Sequence, residues 1–417
     1  MAVNLSRLAS ANTYDNGLAN LSQRQNALSN LQEKLTSGKK VVRASDDPTG
    51  AAQAERALTR LSRIATDQRA LEAQRNTIAN AESTLGDVVD ALQQFRELVV
   101  SAGNGSHTAA ERKTIAGQLQ GLREQILGYA NRTDTNGQPL FGALASAAVP
   151  FSGPTAGTPD YAYNGLPGQT ATSETAIASA LDGESAFMSQ PSRDGVFNVS
   201  LSVIPVGRSL QTSGVSISNS ALVKGSAYTL QITAVDTTTT PGTTSVTYSV
   251  TENPSVSGPI PAQTGSFPTG QLTPMTITGI PGLTLSLTGT PAVNDVITID
   301  PNPSIFSVMD DAIRDIGGAT NANAATQAVG QALYNLDVGM NRVSAIRGQA
   351  GDLLNRADRI TSNQESKSIQ LEADRSRAED LDMIKGVADF QNQTTAYQAA
   401  LQSYAQVQKL SLFNYLG

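Results

Sequence analysis

A single histidine, no cysteine and three runs of neighbouring acids are nearly all that this 417-residue chain offers for acid–base, metal or nucleophilic chemistry. His107 lies in the break Ser101-Ala102-Gly103-Asn104-Gly105-Ser106-His107. Proton transfer or metal ligation needs partners in reach, and no second ligand type stands beside it. The acid runs are Asp46-Asp47, Asp310-Asp311 and Glu379-Asp380-Asp382. Asp47 precedes Pro48, the pairing of an N-cap with a first helical residue that needs no donor. The others read as solvated or salt-bridging positions. Gly103 and Gly105 imitate the start of a dinucleotide loop. Thr108 stands where its third glycine belongs, and a helix rather than a strand precedes it. Without cysteine there is no thiol nucleophile, disulfide frame or cysteine metal site. The expectation is a chain with no catalytic, cofactor-binding or metal site, and not an enzyme.

The basic residues point to surfaces instead. Arg56, Arg60 and Arg63 share one helix face, and Lys39, Lys40 and Arg43 cluster in a loop. The net charge is −7, the wrong sign for holding phosphates, so no nucleic-acid partner is expected. Residues 150–304 hold nine acids and three bases, so most of the excess is local. No run approaches the roughly 18 apolar residues of a membrane span, so no membrane partner is expected either. Met1–Leu21 has no apolar core or cleavage motif of a Sec signal, which predicts no cleaved signal peptide.

These groups must be positioned by helices at both ends and strands between them. Leu71, Ile78, Leu85, Leu92 and Val99 recur every seven residues; Val343, Ala350 and Ala357 keep step with Ile346, Leu353 and Ile360. Such spacing is the seam of a coiled coil. A first helix over about 5–35 carries a sparse stripe of Leu18, Leu21, Leu28 and Leu35, with Gly38 as its stop. The next runs from Pro48 to about Val100. Thr108 and Glu111 predict a capping box for a third, striped by Ile115, Leu119, Leu122 and Ile126 and returning onto the long helix. From about 150 the period changes to two: Val199, Leu201, Val203; Leu230, Ile232; Val246, Tyr248, Val250; Leu283, Leu285, Leu287. Helix resumes at Ile305. The last segment places Phe390, Tyr397, Leu401 and Tyr404 on one side.

The predicted fold class is α+β: an elongated α-helical coiled-coil rod formed by both chain ends, with an inserted antiparallel β domain. The expected domains are terminal helices over 1–45 and 379–417, a helical rod over 46–149 and 305–378, and a β-rich domain over 150–304. A lone helix with a thin stripe is marginal in water, since ordering each residue costs about 1–2 kcal/mol. Both termini are therefore expected to fray alone and to fold on assembly, and slow amide exchange throughout them would contradict this. The surfaces expected to pack against other subunits or partners are Leu18, Leu21, Leu28, Leu35, Phe390, Tyr397, Leu401, Tyr404, Leu412, Phe413 and Leu416.

Leu31-Gln32-Glu33-Lys34-Leu35-Thr36-Ser37-Gly38-Lys39-Lys40-Val41, followed by Ser45-Asp46-Asp47-Pro48-Thr49-Gly50-Ala51-Ala52, resembles the N-terminal motif of the bacterial flagellin superfamily. Asn131-Arg132-Thr133-Asp134-Thr135-Asn136-Gly137 with Leu140-Phe141-Gly142 resembles the turn after its third helix, although Pro139 stands where the family tends to have an aromatic. Arg377-Ala378-Glu379-Asp380-Leu381-Asp382 and the ending Leu410-Ser411-Leu412-Phe413-Asn414-Tyr415-Leu416 resemble the hook–filament junction branch of that superfamily. The likeness covers about 1–142 and 305–417. It implies a structural subunit exported by the flagellar type III apparatus and found outside the cell in the flagellum. It implies a homo-oligomeric ring between hook-associated protein 1 and the flagellin filament. It also implies a cytoplasmic export chaperone on the C-terminal helices. A flagellin that builds the filament is the near alternative, and a secreted glycan-binding adhesin a more distant one.

Overall fold

The computed structural model describes residues 2–145, 149–156, 160–203, 208–269 and 274–416; side chains before residue 15 and after residue 406 lie outside that description. The helices are α1 (Ala2–Ser37), α2 (Pro48–Ala102), α3 (Ala109–Ala130), the short α4 (Gly183–Phe187) and α5 (Pro191–Asp194), then α6 (Ile305–Gly318), α7 (Ala322–Glu379) and α8 (Met383–Leu416). The chain divides into two compact units. One comprises Met1–Arg69 with Ile360–Gly417, the other Ala70–Arg359, and α2 and α7 contribute to both.

In the second unit the sevenfold stripe forms the seam between α2 and α7. Leu71, Ile78, Leu85, Leu92 and Val99 are buried on α2, as are Val343, Ala350 and Ala357 on α7. Removing each large aliphatic side chain from water stabilises by about 1.5–3 kcal/mol. Three ion pairs cross between the helices: Arg75–Asp358 at 3.2 Å, Arg347–Glu82 at 2.7 Å and Arg96–Asp337 at 2.8 Å. Residue numbers rise on one helix as they fall on the other, so α2 and α7 run antiparallel. Helix α3 begins with the expected box. Thr108 accepts from the Glu111 amide, and the Glu111 carboxylate accepts from the Thr108 amide at 2.7 Å. It returns along α2 as expected, since Arg132 just past its end pairs with Asp87 at 3.2 Å, and its closest backbone approach is to α6. Small residues permit this: a Cβ on Gly317 would lie 3.0 Å from that of Ala116. Arg123 reaches Asp310 at 2.9 Å, and Arg112 donates to the Ala319 carbonyl at 2.9 Å.

Between α3 and α6 the chain forms strands. They are β1 (Phe151–Ser152), β2 (Ala162–Tyr163), β3 (Phe197–Ser202), β4 (Leu210–Thr212), β5 (Ser216–Ile217), β6 (Ala227–Asp236), β7 (Thr243–Asn253), β8 (Gln263–Pro268), β9 (Met275–Ile280), β10 (Leu283–Gly289) and β11 (Val296–Pro301). One antiparallel sheet has the order β3-β11-β6-β7-β8; in a second, β4, β5 and β9 all pair with β10. Alternation aims one face of each sheet inward. Tyr228, Leu230, Ile232, Val246, Tyr248 and Val250 from the first sheet share a core with Met275, Ile277, Leu283, Leu285 and Leu287 from the second. The β6–β7 turn is held by Asp236, whose carboxylate accepts from the Thr238 and Thr239 amides at 2.7 and 3.1 Å. A smaller aromatic cluster joins Phe141, Phe151, Phe187, Phe306 and Tyr161, with ring centroids 5.2–5.7 Å apart.

Candidate assembly surface

The first unit carries most of the residues singled out as surfaces. Its two chain ends are tied together. Gly38 takes a positive φ of 72°, a left-handed turn that closes α1. The chain then runs alongside the end of α7. The Lys40 amide donates to the Glu379 carbonyl at 2.8 Å, and the Leu381 amide donates to the Gly38 carbonyl at 2.9 Å. Lys40 Nζ donates to the Arg377 carbonyl at 2.7 Å, and Lys39 pairs with Glu379. Val41 is buried beneath this clasp. Asp47 Oδ1 accepts from the Thr49 and Gly50 amides at 3.1 and 3.0 Å, starting α2. The Gly50 amide and then the Thr49 hydroxyl hold its carboxyl below the ordinary value. Asp382 Oδ1 accepts from the Ile384 and Lys385 amides, starting α8.

Helices α1 and α8 lie against each other. A Cβ on Gly17 would sit 3.3 Å from the ring of Tyr404, and one on Gly386 would sit 3.1 Å from Leu35 Cδ2. The structure thus places Leu21, Leu28, Leu35, Phe390, Tyr397 and Tyr404 as half-buried residues of this pair. Leu18 and Leu401 remain 53% and 42% exposed. Leu401 is therefore less covered than Phe390, Tyr397 and Tyr404, with which the sequence groups it. Leu412, Phe413 and Leu416 lie outside the described side chains. Sequence reasoning missed a second apolar patch at the start of α8, where Met383 is 50%, Ile384 86% and Val387 44% exposed. Its signal is plain once sought: three large apolar residues directly after the Asp382 cap.

Further along this unit, Arg56, Arg60 and Arg63 project from α2 as exposed side chains. Arg56 and Arg60 with Leu371, Asp374 and Arg377 of α7 line a shallow groove of about 420 Å³, continued by one of about 370 Å³ that adds Arg63, Asp67 and Lys367.

The groups considered for chemistry are otherwise engaged. His107 Nδ1 lies 3.7 Å from a Glu111 oxygen. Asp310 accepts from the Tyr161 hydroxyl at 2.5 Å and pairs with Arg123. Burial pushes Tyr161 well above the ordinary phenol value. Asp311 pairs with Arg314 at 2.6 Å, and burial raises its carboxyl to about 6. Among the described residues no group of three His, Cys, Asp or Glu side chains could hold a metal ion. Nor, among them, is any helix long and apolar enough to cross a membrane. The arrangement can bind other helices through apolar and charged faces.

Paired helical ends closed by this clasp match known proteins. The bacterial flagellin N-terminal helical region fits residues 9–145, and the bacterial flagellin C-terminal helical region fits residues 333–416, together more than half of the sequence. The chain belongs to the bacterial flagellin family. It is 33% identical over 160 residues to flagellar hook-associated protein 3 of Salmonella typhimurium, covering 36% of this chain and 48% of that protein. It thus spans about half the length of the curated relatives it matches. Two crystal structures from Legionella pneumophila, flagellar hook-associated protein-3 and the flagellar junction protein FlgL, are each 26% identical. They superpose with TM-scores of 0.60 and 0.57, over 76% and 73% of this chain and 97% and 98% of theirs. Helical ends with an inserted antiparallel β domain are thus the architecture of this chain and of those relatives.

Proposed function

We propose that this flagellin-family chain is a structural, non-catalytic subunit of the flagellar hook–filament junction, outside the cell, joining hook-associated protein 1 to the filament. The observation that carries this reading is the 33% identity over 160 residues to hook-associated protein 3, together with the fold shared with solved hook-associated protein-3 and flagellar junction protein structures. In this reading a homo-oligomeric ring buries the terminal helices as an inner tube, with the α2/α7 pair as a shell and the β sheets outward. Leu18, Leu21, Leu28, Leu35, Phe390, Tyr397, Leu401, Tyr404, Leu412, Phe413 and Leu416 form the subunit and partner contacts. The exposed apolar start of α8 gives an export chaperone a face to cover before secretion through the type III apparatus.

Deleting the gene tests the proposal. The expected result is cells with intact hooks that cannot retain filaments and shed flagellin into the medium. A flagellin is the second reading, because the matching family models are those of flagellin itself. It predicts bare hooks with no shed flagellin, and that outcome would replace the first reading.

A further inference from the structure

Arg56 and Arg63 stand seven residues apart on α2, about 10.5 Å along the helix, with Arg60 between them on the same face. Among the described residues, none of the three takes part in an ion pair or a side-chain hydrogen bond. Nearby acids do not cancel them. The three grooves they line hold five cations (Arg56, Arg60, Arg63, Lys367, Arg377) against Glu55, Asp67 and Asp374, and Asp374 is already paired with Arg377. Between the charges the surface is apolar, with Ala57, Ile64, Leu371 and Ala378. An extended cationic stripe over an apolar floor suits the flank of another helix that brings carboxylates at the same spacing.

The chain itself carries such a flank. Asp90 and Glu97 are seven residues apart on α2 and both are exposed. Neither joins an ion pair or caps a helix among the described residues. Other acids seven apart on or capping helices have at least one member engaged: Asp358 of the pair Asp358/Glu365 bonds Arg75, Glu372 of Glu365/Glu372 bonds Arg375, Glu379 of Glu372/Glu379 pairs with Lys39, and Asp382 of Asp382/Asp389 caps α8. Gln93 and Gln94, exposed between Asp90 and Glu97, can hydrogen-bond without adding charge.

We infer that the Arg56–Arg60–Arg63 stripe of one copy receives the Asp90–Glu97 stripe of a second copy of this chain. The contact is heterologous: one copy presents its basic stripe and its neighbour an acidic one. Such contacts propagate from copy to copy until they close a ring or continue as a filament. The inference rests on the assembling subunit proposed above and supplies its charged register.

The absence of native cysteine allows a direct test in flagella isolated from cells carrying only plasmid-encoded chain. Thr59→Cys and Gln94→Cys copies, expressed together, are expected to give a disulfide-linked dimer on mild oxidation; Thr114→Cys paired with Gln94→Cys is expected to give none. Arg56→Glu/Arg63→Glu and Asp90→Lys/Glu97→Lys are each expected to lower the chain recovered in flagella by about tenfold, and the two sets combined in one chain to restore it to within about threefold. Wild-type recovery of both reversals overturns the inference. So does failure of the combined variant to recover, or a missing 59–94 disulfide in flagella that contain the chain, and both results leave the junction reading standing. Absence of the wild-type chain from flagella removes the reading and this inference together.

Discussion

Asp311 is expected to destabilise the folded chain at neutral pH, and replacing it by Asn should make the protein more stable. The carboxyl is 18% exposed and contacts Arg314 at 2.6 Å. Burial is the largest influence on it and raises its pKa; the Arg314 charge opposes, and neighbouring Asp315 adds to the rise. The rise runs from 3.8 to about 6. At about 1.4 kcal/mol per tenfold change in proton affinity, this corresponds to at most about 3 kcal/mol. Partial exposure and the flexible Arg314 trim it to about 1–3 kcal/mol.

The sign follows from linkage. The folded state binds the proton more tightly than the unfolded chain. The associated stability is fully present below about pH 4 and is lost as pH rises through about 6. Asn mimics the protonated form at every pH. Asp311→Asn should therefore raise the urea midpoint at about pH 8, by an amount equivalent to about 1–3 kcal/mol, with little change at about pH 4. Burial also raises Asp300, with Arg314 opposing, so a residual slope of the same sign should survive in the variant. Equal midpoints of variant and wild type at the higher pH would show that Arg314 fully compensates for burial and that the reasoning is wrong.

Three further outcomes are expected. Leu85→Ala, at a fully buried seam position, should cost about 2–5 kcal/mol by thermal or urea unfolding; a loss below about 1 kcal/mol would show that the seam can collapse around the gap. Thr108→Ala removes the cap of α3 and should cost about 1 kcal/mol, seen as a lower melting temperature with unchanged helix content in the cold. Leu21→Ser with Leu28→Ser should leave the melting of the Ala70–Arg359 unit unchanged while halting junction assembly and filament retention; normal filaments on that variant would remove α1 from the assembly surface.

Features set by nearest neighbours were legible in the sequence. Asp47, Thr108 and Glu111 cap the helices where the sequence places them, because capping depends on side chains two or three residues from the amides they serve. The stripes on α2 and α7 were legible because one periodic face must be covered whatever covers it. Alternation likewise located β3, β6, β7 and β10. The identity of the covering element was less visible. Close approach of α3 to α6 depends on Ala116 and Gly317, two small residues 201 positions apart by number. Sheet order was equally hidden: β11 inserts between β3 and β6, a choice that alternation does not encode. On the candidate assembly surface, helical spacing singled out Phe390, Tyr397, Leu401 and Tyr404 and passed over Ile384, because a helix's first turn precedes any periodic pattern.

The clasp between Gly38 and Leu381 also constrains the order of events in folding. Its Lys40–Arg377 bond closes a span of 337 residues. Bringing together ends so distant costs more entropy than any local step, although the penalty rises only as the logarithm of length. Once the strands and the seam between α2 and α7 are in place, each further pairing outward encloses only a few additional residues. Folding should therefore zip from the middle of the polypeptide towards its extremities, with the clasp last. Pulse-labelled refolding should find the amides of Lys40 and Leu381 protected after those of β6 and β7; early protection would reverse that order. A subunit built this way could not secure its first residues until nearly the last had emerged, which suits the threaded export proposed for it.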